Sequence, residues 1–406
     1  MVAPAGAQTP AAAAPLTIDQ AVSEALDHNL SLLAERFNVT VAAAAVVTAG
    51  LRPNPVVTVN AMLPDQALVD AGVSTREGVV RTDYVVERGG KRERRVEQAA
   101  LARSVAELQL LNTTRTLVLD VERAFTDVQL AKLNLALARE NLAAFTSVVT
   151  VNTERVRTGD LSQVELSRSR LAALQFENDV QQQAAKLSVA RSHLSTLIGR
   201  GPGGDGLDVA GELRRDAEAR DRTVLAARAL EQRPDLRAAR SDQARSVADL
   251  RLQLANGTVD YTISGEYHRQ EGGGLTGNTY GAYFSVPLPV FNRNQGEVAR
   301  ARAQQQQLDA KTKALEADIG SELEAAFSEY TAARRIVERI ETDMIAQARD
   351  VRTTMEYSYR RGEASFVEFL DAVRAFNDTT QSYNEARADY ARSLYELDAI
   401  SGKVTP

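Results

Sequence analysis

The sequence predicts a mainly α-helical protein with a small β part, laid out as two copies of one plan. Three observations predict it: very long helical runs with an apolar repeat of 3.5 residues, four short segments of alternating polarity, and motifs that recur at a near-constant offset.

The recurrence sets the frame for every element. AVSEALDHNLSL from Ala21 answers LAARALEQRPDL from Leu225, so Leu26, Asp27 and Leu32 meet Leu230, Glu231 and Leu236. The same offset pairs Val57 and Val59 with Tyr261 and Ile263. RTGDLSQVEL, ending at Leu166, answers RRGEASFVEF, ending at Phe369: Gly159, Ser162, Val164 and Glu165 fall on Gly362, Ser365, Val367 and Glu368. The first repeat is thus expected over 16–198, with strands near 55–63 and 78–87, a long helix 91–158 and a helix 162–198. A Gly-rich linker, 199–220, leads to the second repeat over 221–401, with strands near 258–268 and 278–288, a long helix 294–360 and a helix 365–401. Residues 402–406 form a tail, and the Ala/Pro-rich stretch 1–15 reads as a disordered leader, not an intact signal peptide.

From Lys91 to Thr158 there is neither Gly nor Pro. As one helix, that run would reach about 100 Å at 1.5 Å per residue. Its apolar stripe is Leu117, Val121, Ala124, Val128, Ala131, Leu135, Ala138, Leu142, Phe145, Val149, Asn152, Val156, in steps of four and three. Such steps give the period of a left-handed supercoil. The second half repeats the pattern in register through Ile319, Leu323, Ala326, Tyr330, Ala333, Val337, Ile340, Met344, Gln347, Val351 and Thr354.

Four segments alternate with period two, as strands with two unlike faces do. Their apolar faces are Val57, Val59, Ala61, Leu63; Val80, Thr82, Tyr84, Val86; Tyr261, Ile263, Gly265, Tyr267; and Tyr280, Ala282, Phe284, Val286. Each approaches the nine to eleven residues that a tilted strand needs to cross a bilayer. Tyr84, Tyr261, Tyr267, Tyr280 and Phe284 would suit a lipid-facing girdle. Four strands cannot close a barrel, and hydrocarbon does not tolerate an open edge. A membrane reading therefore requires several copies, eight strands from two or twelve from three. Two amphipathic hairpins packed on a soluble core remain the competing picture. Breakers stand where strand and helix meet: Pro53 and Pro55, Gly89 and Gly90, then Pro287 and Pro289. The loops Pro64–Glu77 and Arg269–Gly277 would join the strands within each pair.

Composition removes several classes. With no cysteine there is no disulfide or thiolate site, and three histidines with four methionines are too few for a dedicated transition-metal cage. His28, His193 and His268 lie in different expected elements, so no metal or cofactor site is assigned. A net charge of -6 with both signs mixed leaves no nucleic-acid footprint. No run approaches eighteen uninterrupted apolar residues, so no transmembrane helix is expected. An enzyme is not expected either, for want of a Walker loop, a His/Cys cluster or a nucleophile with its base.

Three segments carry a family resemblance: GLRPNPVVTV at Gly50–Val59, ERGGKRERRVEQA at Glu87–Ala99 and, most specifically, FSVPLPVFNRNQGEVARARA at Phe284–Ala303. With these, nearly the whole chain resembles the TolC-like outer-membrane efflux factors, most closely the CzcC-like branch that serves cobalt-zinc-cadmium and nickel efflux. The resemblance implies a homotrimer in the outer membrane of a Gram-negative bacterium. It also implies a twelve-stranded transmembrane β-barrel, four strands per protomer, and a long antiparallel coiled-coil α-barrel reaching through the periplasm. The implied partners are outer-membrane lipid, a periplasmic adaptor (membrane fusion) protein and an inner-membrane resistance-nodulation-division pump.

The family's Arg-x-Gly-x-x-Ser tip, which meets the adaptor, matches Arg157, Gly159 and Ser162 and again Arg360, Gly362 and Ser365. Gly suits the left-handed cap that stops a helix, and Ser the N-cap of the next. The family's acidic pore constriction matches Glu368 and Asp371, with Glu165 as the first-half counterpart. Ala364 departs from the basic residue of some multidrug members, so no gate-locking ion pair is carried over. The implied function is a passive exit duct for divalent heavy-metal cations. A multidrug or protein-secretion duct of the same fold and a soluble coiled-coil scaffold are the alternatives.

Overall fold

A computed structural model describes residues 15–72, 75–201, 206–272 and 274–404; the expected leader before Pro15, part of the linker and the last two residues lie outside them. In chain order the elements are α1 (Ile18–His28), α2 (Leu30–Gly50), β1 (Val56–Met62), α3 (Gln66–Asp70), β2 (Arg76–Val86), α4 (Lys91–Thr158), α5 (Gln163–Leu197), α6 (Arg222–Gln232), α7 (Pro234–Asn256), β3 (Tyr261–Gly272), β4 (Leu275–Ser285), α8 (Gln295–Arg339), α9 (Ile345–Arg361) and α10 (Phe366–Ile400). Two compact units emerge, one of Arg36–Gln109 with Asp235–Leu315, the other of Met1–Glu35, Leu110–Pro234 and Glu316–Pro406.

The first of these units holds one antiparallel sheet in the order β1-β2-β3-β4. Register decides what the sheet can do. Val57 and Val59 lie opposite Thr82 and Val80, which with Tyr84 and Val86 lie opposite Gly265, Tyr267, Ile263 and Tyr261. These in turn lie opposite Ala282, Tyr280 and Phe284. All four apolar stripes therefore share one face. The other face is polar and bonds to itself: Arg81 donates to Asp83 at 2.8 Å, Ser264 donates to the same carboxylate, and the Tyr283 hydroxyl reaches Glu266 at 3.1 Å.

Where strands hand over to helices the chain is tied by charge. Arg95 pairs with Glu87 and also donates to the carbonyls of Ala49 and Leu51, gathering the ends of α2, β2 and α4. Asp260 accepts from the Arg88 backbone N–H at 2.8 Å and from Lys91 Nζ at 2.7 Å. Gly89 and Gly90 make the turn into α4 with φ of +70° and +68°, which only glycine adopts freely. Gly257 lies so near the Arg293 carbonyl that a Cβ would sit 2.9 Å from it.

The structure corrects three expectations. The second strand-joining loop is mostly strand, since β3 and β4 run on to Gly272 and Leu275 and turn over between them. The first contains the short helix α3, capped by Asp65. The third concerns α2, which is long and apolar enough to cross a membrane by length and composition. Counting only uninterrupted apolar residues misses it, because Glu35, Arg36 and scattered Asn and Thr break the run. Its repeat counterpart α7 carries Asp235, Arg237, Arg240, Asp242, Arg245, Asp249 and Arg251, so the position itself does not demand an apolar helix.

In the other unit the seam of α4 is buried or half-buried from Leu117 to Val156. The matching seam of α8 is buried from Ile319 to Ile340 and then departs from the expected pattern. Met344, Gln347, Val351 and Thr354 are exposed, whereas Ile345, Ala348, Arg352, Met355 and Tyr359 turn inward. The cause is a π-helical turn at Ile340–Met344, in which the Ile345 N–H bonds back to the Ile340 carbonyl. That turn holds one residue more than an α-turn, so the buried stripe resumes one position later. The long helix expected over 294–360 is thus α8 and α9 joined by this turn. Glu341 within it accepts from Arg215 at 2.8 and 2.9 Å and from the Tyr383 hydroxyl at 2.8 Å. Burial alone would push this carboxyl up, but those bonds bring it below its usual range.

Glu122 on α4 is only 7% exposed. Burial, against partial relief from Arg214, pushes its carboxyl from 4.5 to about 7. The folded state then binds this proton more tightly than the unfolded one. The associated stability is present below about 4.5 and is lost as pH rises through about 7. Full ionisation costs up to roughly 3 kcal/mol at about 1.4 kcal/mol per unit. Glu122→Gln is expected to melt like the wild type at pH 5 and several degrees higher at pH 8; a difference independent of pH would refute this account.

Candidate functional site

The paired helical tips assemble from the motif residues. α4 stops at Thr158 because Gly159 takes φ +85°, letting the Asp160 N–H reach back to the Arg155 carbonyl at 2.8 Å. Ser162 then caps α5, accepting from the Glu165 N–H at 3.2 Å. The second tip repeats this with Gly362 at φ +78° and the Glu363 N–H on the Ser358 carbonyl at 2.9 Å. Ser365 caps α10 in a reciprocal box: the Glu368 N–H donates to its hydroxyl, and its own N–H donates to the Glu368 carboxylate at 2.8 Å.

Arg157 and Arg360 are exposed and pair along their own helices, with Glu154 at 2.8 Å and Glu356 at 2.6 Å. Of the acidic residues, Glu368 is exposed but engaged, and the Ser365 backbone N–H followed by its hydroxyl holds the carboxyl below its ordinary range. Asp371 is exposed with no ion pair among the described residues. Glu165 is half-buried beside Tyr359, whose ionisation it opposes. Glu368 and Asp371 stand three residues apart on α10, and so share a face of that helix, while Glu165 lies on α5.

Beneath the tips lies a cluster that sequence reasoning missed. Phe145, Ala172, Tyr359, Phe366, Phe369 and Val373 are buried together and join the two hairpins. Tyr359 stacks on Phe369 at 5.2 Å between centroids, and Phe369 lies 5.8 Å from Phe145. The Tyr359 hydroxyl donates to Asn152 Oδ1 at 2.8 Å, engaging the one polar residue of the α4 seam. The signal was present: an amide at a seam position needs a partner. The partner stayed hidden because the seam of the second half slips by one residue at the π-turn.

The sheet supplies the second feature of interest. Tyr84, Tyr261, Tyr267, Tyr280 and Phe284 all stand on its apolar face. Tyr261 meets Phe284 at 5.3 Å and Tyr267 meets Tyr280 at 5.5 Å. No described part of the chain covers that face: Val59 is 70%, Phe284 68% and Tyr280 79% exposed. The outer edges of β1 and β4 have no strand partner among the described residues. The competing picture, hairpins packed on a soluble core, does not describe this sheet. No group of three or more His, Cys, Asp or Glu with metal-holding geometry occurs among the described residues.

Tyr359→Phe leaves the buried Asn152 oxygen without its donor and is expected to cost about 1–3 kcal/mol. Tyr359→Ala, which also opens a cavity, should cost about 3–5 kcal/mol. Protease cleavage near residues 158 and 362 would report both losses, and wild-type resistance in Tyr359→Ala would contradict the packing described.

Comparison with known proteins supplies the context. The family model for outer membrane efflux proteins matches twice, over residues 21–200 and 225–403. The cobalt-zinc-cadmium resistance protein CzcC of Cupriavidus metallidurans is 24% identical over 394 residues, spanning 97% of this chain and 91% of that protein. Among solved structures, the MtrE outer membrane channel of Neisseria gonorrhoeae, in its open state, matches with a TM-score of 0.77 at 16% identity, over 96% of this chain and 89% of that one. The transmembrane channel CusC matches with a TM-score of 0.76 at 17% identity, over 95% and 92%. At these identities the structural likenesses establish the fold, which is that of the TolC-like channels. With both halves matched by the same family model, the chain belongs to the outer membrane efflux protein family.

Proposed function

We propose that this chain is one subunit of a homotrimeric outer-membrane channel, a passive exit duct for divalent heavy-metal cations. The duct would take its cargo from a tripartite system, meeting a periplasmic adaptor through both tips and relying on an inner-membrane, proton-driven pump for energy. The observation that carries the reading is the sheet, with one face apolar and open, the other polar, and both edges without a partner among the described residues. Hydrocarbon accepts such a sheet only where neighbouring copies pair with its edges, because each unpaired peptide group costs several kcal/mol. Three copies would give a closed barrel with the polar face, including Arg81, Asp83 and Glu266, lining water.

The cargo assignment rests on the relation to the cobalt-zinc-cadmium resistance protein and on the acidic tips. Three copies of Asp371, none held in an ion pair within its protomer, would favour cations where the duct narrows. Glu368 would add to that charge, and Glu165, turned toward Tyr359, would add less. Arg157, Gly159 and Ser162 with Arg360, Gly362 and Ser365 form the proposed adaptor-contacting surface. No metal site is needed, since a duct that held its cargo tightly would not release it.

Purified protein in a planar bilayer should conduct, and a preparation that extracts without detergent and gives no current would reject the channel. Val59→Arg on the apolar face should cost about 2–4 kcal/mol near the bilayer midplane and prevent assembly, while Thr58→Arg on the opposite face assembles normally. Asp371→Asn should lower the cation-over-anion permeability ratio read from the reversal potential, and an unchanged ratio would remove Asp371 from the constriction. Cells lacking the protein should become sensitive to zinc, cobalt, cadmium or nickel, whereas sensitivity confined to dyes or detergents would move the cargo to the multidrug class.

A further inference from the structure

The handover from β2 to α4 is more basic than holding the chain together requires. A cleft of about 410 Å³ opens there, lined by Arg52, Tyr84, Arg88, Gly90, Lys91 and Arg92, with Glu87 and Glu93 as its carboxylates. Several of these charges are already engaged. Glu87 is held by Arg95, and Lys91 by Asp260 at 2.7 Å. Arg92 reaches Glu93 only at 3.4 Å. Arg88 spends its backbone N–H on Asp260, while its guanidinium stands 6.0 Å over the Tyr261 ring with no described carboxylate in ion-pair range. Arg52 is exposed, and no ion pair among the described residues involves it. With Arg95 and Asp260 counted, five basic side chains face three carboxylates, and the surplus of two falls on Arg52 and Arg88, with Arg92 held only by the long contact to its neighbour Glu93.

The surroundings indicate the kind of partner. Val86 and Tyr261, paired across β2 and β3, mark the end of the sheet beside this cleft. The other handover segments of the same unit expose Leu51, Leu288, Val290 and Phe291, the last at 91%. Water offers nothing to an aromatic ring so placed. A bilayer boundary accepts both features, with the ring at the acyl margin and the guanidinium groups at the phosphates.

We propose that this cleft binds the phosphate of an anionic phospholipid, through Arg52, Arg88 and Arg92. Phe291 and Leu288 enter the acyl boundary at the same level. The inference rests on the reading that the sheet crosses the membrane, and it adds a lipid class and the residues that select it.

The test uses the full chain in detergent, with native mass spectrometry against phosphatidylglycerol and against diacylglycerol of the same acyl chains. Each guanidinium at an anionic surface is worth about fivefold in binding, so wild type should retain phosphatidylglycerol about tenfold or more over diacylglycerol. Arg52→Gln/Arg88→Gln/Arg92→Gln should remove that preference while leaving bilayer conductance unchanged. Arg52→Glu, at an exposed site outside every ion pair described, tests the same point without risk to folding and should lower retention severalfold. Equal retention of the two lipids by wild type, or full retention by Arg52→Glu, overturns the proposal. Displacement by an equimolar amount of glycerol phosphate would also overturn it, by making the cleft a soluble-anion site. Absence of wild-type conductance would instead count against the channel reading, so the two failures are distinguishable.

Discussion

The rest of the structure depends on the agreement of side-chain parity with strand register. In β1 to β4 the apolar residues fall on alternate positions, and the pairing Val59–Val80–Tyr267–Tyr280 brings all four sets to the same side. A slip of one residue in any strand would carry its whole set to the opposite face. Asp83 guards the register from the polar side, since it accepts from both Arg81 and Ser264. The result is a ribbon whose two faces require different media and whose edges require further strands. Under the proposed function, residence in a membrane and assembly with other copies would answer the same requirement.

The helical unit meets a different demand, that of keeping long seams in phase. Alanine at Ala124, Ala131, Ala138, Ala326 and Ala333 permits close approach, and the larger residues between them fill the spaces. Near the tips the seam becomes aromatic and gains the buried bond between Tyr359 and Asn152. Only the oxygen of this amide is satisfied, since Asn152 Nδ2 is buried with no partner among the described residues, so the pair serves to choose one alignment more than to stabilise it. The tip is thus specified by a polar pair enclosed in stacked rings, while its outward surface is left to charged and capping residues.

Much of this is legible in the amino-acid order. Strand faces, breakers, capping serines and left-handed glycines follow from local chemistry, and Ser162, Gly159, Ser365 and Gly362 occupy the conformations their residue types favour. What escapes is non-local. An unbroken period carries the seam of the second half past Ile340, and no single residue there announces a π-turn. Tyr359, the partner of Asn152, is thereby left off the expected seam. Glu368 reads as a free pore carboxylate, although its spacing from Ser365 is also that of a capping box. The apolar character of α2 is diluted by a few polar residues that a count of unbroken runs cannot forgive.

The added residue at Ile340–Met344 changes the offset between the two halves. Up to that turn, equivalent seam positions lie 202 apart, as Ala138 and Ile340 do; beyond it, Val156 answers Tyr359 at 203. The π-turn takes up that one extra residue, so equivalent positions stay matched on both sides of it within the long helix. Beyond it the left-handed Gly159 and Gly362 and the capping Ser162 and Ser365 still answer each other, so the likeness of the two hairpins survives to their ends.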